Sequence, residues 1–209
     1  MSSEDARRHV AAQLRRLADR LVTDDLPDPR WQELSAQLDA ALATLPAEPP
    51  GRTRFAQDHF DLGAGVEDSP SARHPLGLGT SGIYPPFSIF HQGDVLVATT
   101  EFGPAFEGPP GLVHGGFLAA GFDIMLSAMA HHVLGTSVTR RLSVRYLKPT
   151  QLDTPLRYEI EAGDRDGRLL DLTGRLLADG RVTMRASAQF ATLSSERFSR
   201  HAEEPGSER

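Results

Sequence analysis

The residues best placed to do chemistry are His114, Gly115, Gly116 and Asp123, inside the run L-V-H-G-G-F-L-A-A-G-F-D-I-M-L-S-A-M-A-H-H-V-L from 112 to 134. From Gly115 to Ala130 every residue is apolar or small except Asp123 and Ser127. A carboxylate in such surroundings is costly to bury unless something pairs with it. Two readings stand. Asp123 is a paired core residue or helix cap, or it is a catalytic carboxylate in a dry site, where desolvation raises its pKa and its basicity. The glycines after His114 fall where a helix should begin. Helix N-termini present unpaired N–H groups and a partial positive charge. With no side chains at Gly115 and Gly116, a substrate oxygen can approach those groups closely. That would make an oxyanion hole; a plain strand-to-helix turn is the alternative.

Gly115 and Asp123 are eight residues apart, about 12 Å along a helix. A catalytic carboxylate must come within roughly 3 Å of what it acts on, directly or through one water. One helix can hardly bring both groups to one carbonyl. Two antiparallel copies can, each giving its glycine end to the other's Asp. If both groups are catalytic, the site lies between subunits of a two-fold dimer.

The elements around this run must position it. Its length suits a helix better than a strand, and its apolar surroundings call for burial on most sides. It reads as too short and too interrupted to span a bilayer. The chain has 209 residues, room for one good core and a small appendage. A formal charge of −6 argues against nucleic acid as the main partner. The absence of Cys excludes disulfides and thiolate chemistry. The start M-S-S-E-D-A-R-R lacks a signal-peptide core, so a cytoplasmic protein with no membrane segment is expected.

In chain order, 4–23 reads as an amphipathic helix, with Val10, Leu14, Leu17 and Leu21 on one face, broken by Pro27 and Pro29. A second helix is expected over 31–45, with Leu34, Leu38 and Leu42 four apart. Together they form a hairpin over 1–50: a lid, a dimer brace or a partner-binding element. Residues 51–75 read as a linker. Gly77, Gly79 and Gly82 spell G-x-G-x-x-G, but no strand precedes them and Pro85-Pro86 follow, which argues against a dinucleotide site. From residue 87 the period changes to two. A hairpin is expected to turn near Gln92-Gly93-Asp94 before the central helix, which Gly135 ends. A four-strand meander follows, over 138–147, 156–162, 167–177 and 182–192, with a turn at Asp179-Gly180. On the first of these strands Val138, Leu142, Val144 and Tyr146 are candidate inner-face positions. The result is an α+β fold, an antiparallel sheet wrapped on a buried helix. The polar tail from Ser194 is expected to be disordered.

The run G-P-P-G-L-V-H-G-G-F-L-A-A-G-F-D, with H-P-L-G-L upstream and V-R-Y-L-K-P downstream, resembles the hotdog-fold acyl-CoA thioesterases of the phenylacetate type. The resemblance covers about residues 74–193, so the domain is set at 76–193. It implies that Gly115 and Gly116 polarise the thioester carbonyl through backbone N–H, and that Asp123 of the partner subunit acts as general base or nucleophile. His114 would shape the turn. Thr139 falls where relatives carry a Ser or Thr that holds the water or the Asp; an ordinary strand residue is the alternative. Two positions depart from the pattern: Ile124 stands where relatives often have Glu or Asn, and Gly108 where some have Asn or Gln.

Arg140, Arg141, Arg145 and Lys148 are candidates for coenzyme A phosphates, and Phe122, with Phe117, Met125 and Met129, for lining an acyl pocket. His131-His132 at the helix end could complement its dipole. Acyl transfer from a thioester to water needs no metal or nucleotide cofactor. The expected protein is an acyl-CoA thioesterase, a homodimer or a dimer of dimers. The alternatives are a hotdog hydratase or dehydratase, and a non-catalytic acyl-thioester binding or scaffold protein using its N-terminal hairpin.

Overall fold

The computed structural model describes residues 2–45 and 81–192. The expected linker, the tail and the H-P-L-G-L motif with Gly77 and Gly79 lie outside the described residues. Two helices come first, α1 (Ser3–Thr23) and α2 (Asp28–Leu42). Strands β1 (Ser88–Gln92) and β2 (Val95–Thr100), a 3-10 turn (Pro104–Phe106) and helix α3 (Gly115–Leu134) follow. The chain then runs through β3 (Ser137–Tyr146), β4 (Leu156–Asp166), β5 (Leu169–Ala178) and β6 (Arg181–Thr192). The strands form one six-stranded sheet in the order β1-β2-β4-β5-β6-β3, antiparallel at every pairing.

The sheet wraps α3. Phe122, Met125 and Leu126 on the helix are fully buried, together with Leu96 of β2, Tyr158 and Ile160 of β4 and Met184 of β6. Apolar burial of this kind is the main force holding helix to sheet. By length and composition α3, at 20 residues, could cross a bilayer, which corrects the reading of it as too short and too interrupted. Here the sheet supplies the apolar surroundings that a bilayer would otherwise give.

The order of the last strands differs from a four-strand meander. Only β4, β5 and β6 follow one another; β3 pairs with β6 and ends the sheet. The cause is the connection from Leu147 to Pro155, which crosses rather than turning back. It is pinned by Leu147 N–H on Thr183 O (2.9 Å), Val113 N–H on Thr150 O (2.9 Å) and Asp153 N–H on Phe102 O (2.9 Å). The β5–β6 turn holds Asp179 and Gly180 at φ 48° and 71°, the double left-handed geometry that two-residue hairpins need.

A bulge interrupts β3. Thr139 pairs with Phe190 and Arg141 with Gln189, so Arg140 is the extra residue. Beyond it Leu142, Val144 and Tyr146 stand opposite the buried Ala188, Ala186 and Met184. The bulge also explains Val138, expected inside but 40% exposed: before the extra residue the inward parity belongs to Thr139.

The N-terminal helices differ from each other. Helix α1 has a capping box at Ser2 and Asp5 and is anchored to the main domain. Its Ala11 is buried, Arg15 donates to Ser81 O, and Asp19 Oδ1 accepts Ala105 N–H at 3.0 Å. The apolar stripe is only partly used, since Val10 and Leu21 are 57% and 58% exposed. Helix α1 ends at Thr23, and α2 starts at Asp28, earlier than the expected 31, because Pro27 is its N-cap and Pro29 sits in its first turn, where a missing N–H costs nothing. Helix α2 buries no residue.

Candidate active site

The site residues come from the two ends of one packing contact, α3 against the edge strand β3. His114 is the N-cap of α3: its Nδ1 accepts Gly116 N–H at 3.0 Å. The acceptor role puts the ring proton on Nε2. The His114 backbone is held as well, its N–H donating to Phe106 O (2.8 Å) and its carbonyl accepting from Phe117 (3.0 Å). The 3-10 turn that carries Phe106 is the one tied to α1 through Asp19. Gly116 N–H is thus committed to the cap. Among the described residues no acceptor is bonded to Gly115 N–H. That group is the free donor at the helix start, strengthened by the aligned peptide dipoles behind it.

The chain has three tyrosines, and each gives its hydroxyl to a carbonyl of the first turn of α3. Tyr146 donates to Gly115 O (2.9 Å), Tyr84 to Phe117 O, and Tyr158 to Leu118 O (3.2 Å). Burial pushes the Tyr84 phenol up, against a smaller opposing effect of the Gly121 backbone. Burial, and then Tyr84 nearby, push Tyr158 well up. Both therefore stay protonated and keep donating. Two glycines make room. A Cβ on Gly121 would stand 2.4 Å from the Tyr158 hydroxyl, and one on Gly115 2.8 Å from Tyr146 Cε1. Gly115 is small for Tyr146 as well as for any substrate. Reading the sequence missed these tyrosines because their partners lie 31 to 40 residues away. No local spacing signals such contacts.

Asp123 is half-buried, and Thr139 Oγ1 donates to its Oδ1 at 3.3 Å, a long and weak bond. The bulge at Arg140 lets Thr139 and Tyr146, seven positions apart, both face α3. A cleft of about 380 Å³ opens beside the helix start, lined by Gly115, Leu118, Val113, Tyr146, Lys148 and Pro149. Lys148 borders it, whereas Arg145 alternates with Val144 and Tyr146 and so points away from α3. Phe122 does not reach the cleft; it is fully buried with its ring edge-on to Tyr158, centroids 5.0 Å apart. Met125 and Met129 are buried as well.

The two departures from the thioesterase pattern have local explanations. Ile124 is 6% exposed and part of the core, where a carboxylate or amide would lack water. At Gly108 a Cβ would lie 2.9 Å from His114 Cα, so this turn admits no side chain there. At the other end of α3, His131 Nδ1 lies 2.8 Å from Ser127 O. His132 packs on His91 at 4.8 Å between centroids. Among the described residues no three His, Cys, Asp or Glu side chains form a metal-binding group.

This architecture, a long buried helix wrapped by an antiparallel sheet with a glycine turn at its head, is a hotdog domain. Residues 107–191 match the family described as acyl-CoA thioesterase N-terminal domain. That match runs from just after the 3-10 turn through α3 and the strands β3 to β6, and so falls within the hotdog domain. The crystal structure of a thioesterase superfamily protein superposes with a TM-score of 0.71 at 24% identity, covering 88% of this chain and 94% of that one. More local likenesses are a phenylacetic acid degradation-related protein from Ralstonia eutropha JMP134 and a thioesterase protein from Streptococcus pneumoniae TIGR4 with coenzyme A. Their TM-scores are 0.48 and 0.47 and their identities 24% and 21%. They cover 51% and 50% of this chain, and 84% and 86% of theirs.

Proposed function

We propose that the chain hydrolyses an acyl-CoA thioester to the free acid and coenzyme A, in a site shared by two copies. The observation that carries this reading is the pairing on α3 of an unengaged Gly115 N–H with a half-buried Asp123 held by Thr139. Eight residues, about 12 Å of helix, separate them, so one copy supplies the donor and the other the carboxylate. Strand β3 ends the sheet and carries the half-exposed Tyr146, and its unpaired edge lies beside both groups. A second copy added there in two-fold fashion would bring Gly115 of one α3 toward Asp123 of the other.

The chemistry balances without a further co-reactant. Gly115 N–H binds the thioester carbonyl oxygen as it becomes an oxyanion. As general base, Asp123 takes a proton from water while the water oxygen bonds to the carbonyl carbon. Collapse of the tetrahedral species breaks the C–S bond, and the thiolate leaves with a proton from Asp123. As nucleophile, Asp123 would bond to the carbonyl carbon and expel the coenzyme A thiolate, which takes its proton from solvent; water then opens the mixed anhydride to the acid and regenerates the carboxylate. Thr139 orients the carboxylate in either route, His114 sets the turn, and Lys148 at the cleft suits a coenzyme A phosphate. Arg145 would act only from the outer face of the edge strand.

Thiol release from acyl-CoAs between acetyl and palmitoyl, with phenylacetyl and benzoyl added, tests the reading. Asp123→Asn should lower kcat at least about a hundredfold while the melting temperature holds. Wild-type turnover in that variant would remove Asp123 from the mechanism. A fully active monomer in sedimentation would remove the shared site. A second reading, a scaffold that binds acyl thioesters without cleaving them, draws on α2, which buries nothing and exposes Leu42 at 63%. Binding without thiol release would favour it.

A further inference from the structure

The peptide unit joining Gly115 to Gly116 should be the loosest link at the head of α3, since neither residue has a side chain to restrain it. Both of its polar ends are nevertheless held. Its carbonyl accepts the Tyr146 hydroxyl at 2.9 Å in addition to its bond within α3, and its N–H donates to His114 Nδ1 at 3.0 Å. The Tyr146 ring also lies against Gly115, within 2.8 Å of where a Cβ would be, and forms one wall of the adjoining cleft. Tyr84 and Tyr158 hold deeper carbonyls and are 1% and 0% exposed; Tyr146 is 53% exposed. Of the three, it is the one at the mouth of the site.

We propose that Tyr146 is a positioning residue for the thioester site: it fixes the Gly115–Gly116 peptide and thereby aims the neighbouring Gly115 N–H at the substrate carbonyl. This rests on the hydrolytic reading above. The free N–H belongs to the His114–Gly115 peptide, whose carbonyl accepts Phe117 N–H at 3.0 Å; the clamped peptide meets it at the Gly115 Cα, so the two together fix where that Cα and its N–H lie. A hydrogen bond to an oxyanion weakens steeply as its donor tilts, and a donor fixed before the reaction costs no reorganisation during it. The oxyanion exists only in the transition state, so loss of aim must appear in kcat and not in KM.

Tyr146→Phe keeps the ring and the cleft wall and removes only the donor. The expected result is a kcat lowered about tenfold, the value of one net hydrogen bond, with KM within about twofold and an unchanged melting temperature. The Gly116 amide should exchange with deuterated water at least about threefold faster, because its peptide keeps only the helical bond at the carbonyl end. An unchanged kcat overturns the proposal. So does a lower kcat with unaltered Gly116 exchange, or a change confined to KM, since either makes Tyr146 a substrate contact instead. If the wild-type protein cleaves no acyl-CoA, the hydrolytic reading fails by itself. Gly116 exchange in the variant then decides alone: faster exchange upholds the clamp, and an unaltered rate overturns it.

Discussion

Two glycine–tyrosine contacts on the same helix do different work. At Gly121 the partner is Tyr158, fully buried, edge-on to Phe122 and Phe87. At Gly115 the partner is Tyr146, half-exposed beside an open cleft. In both, a missing side chain lets a ring lie on the helix and a phenol reach a backbone carbonyl. The inner contact is surrounded by groups that cannot yield, because interiors are close-packed. The outer one has room on one side. The same device therefore serves stability where it is enclosed and can serve chemistry where it is open.

Substitution separates the two. Gly121→Ala should have the largest effect, because its Cβ would stand 2.4 Å from the Tyr158 hydroxyl with no space for the ring to leave. Overpacking and a broken hydrogen bond together outweigh the roughly 1 kcal/mol that Ala gains in a helix, for a net loss of about 2–3 kcal/mol. Urea denaturation measures it, and a variant as stable as wild type would remove the distinction. Gly115→Ala should cost less than about 0.5 kcal/mol, since the Tyr146 ring can swing outward. It should still lower kcat about tenfold or more by shifting the free N–H, as read in the thiol-release assay. Tyr158→Phe should be the mildest, with about 1 kcal/mol lost and kcat unchanged. A drop in kcat there would mean that the interior contact also sets the site.

The legible part of the molecule was the part encoded locally. The apolar run of α3, its start at Gly115, its stop at Gly135 and the hairpin at Asp179-Gly180 all carry their signals within a few residues. The helix start at His114-Gly115-Gly116 was legible in the same way. The placement of β3 was not legible, since pairing with β6 depends on the path of a crossing connection and not on the strand's own alternation. Gly116 was read as a donor to substrate, whereas His114 caps it; two N–H groups of one turn look alike until a side chain chooses between them. Phe122 was read as a pocket residue because a helix's apolar positions look alike until the sheet encloses them. The break after α1 was legible from Pro27 and Pro29, but the start of α2 was read three residues late, since a proline is compatible with a first turn.

The bulge at Arg140 also sets how β3 can change in length. Seven steps separate Thr139 from Tyr146, an odd count that an unbroken strand would split between its two faces. Arg140 absorbs the difference. Losing that one residue would leave an even count and a regular ladder, with Thr139 still opposite Phe190 and Arg141 still opposite Gln189. Losing Ser143 instead would turn Arg141 toward the core and Leu142 toward solvent. The register therefore marks Arg140 as the position whose removal leaves both contacts to the helix on one face.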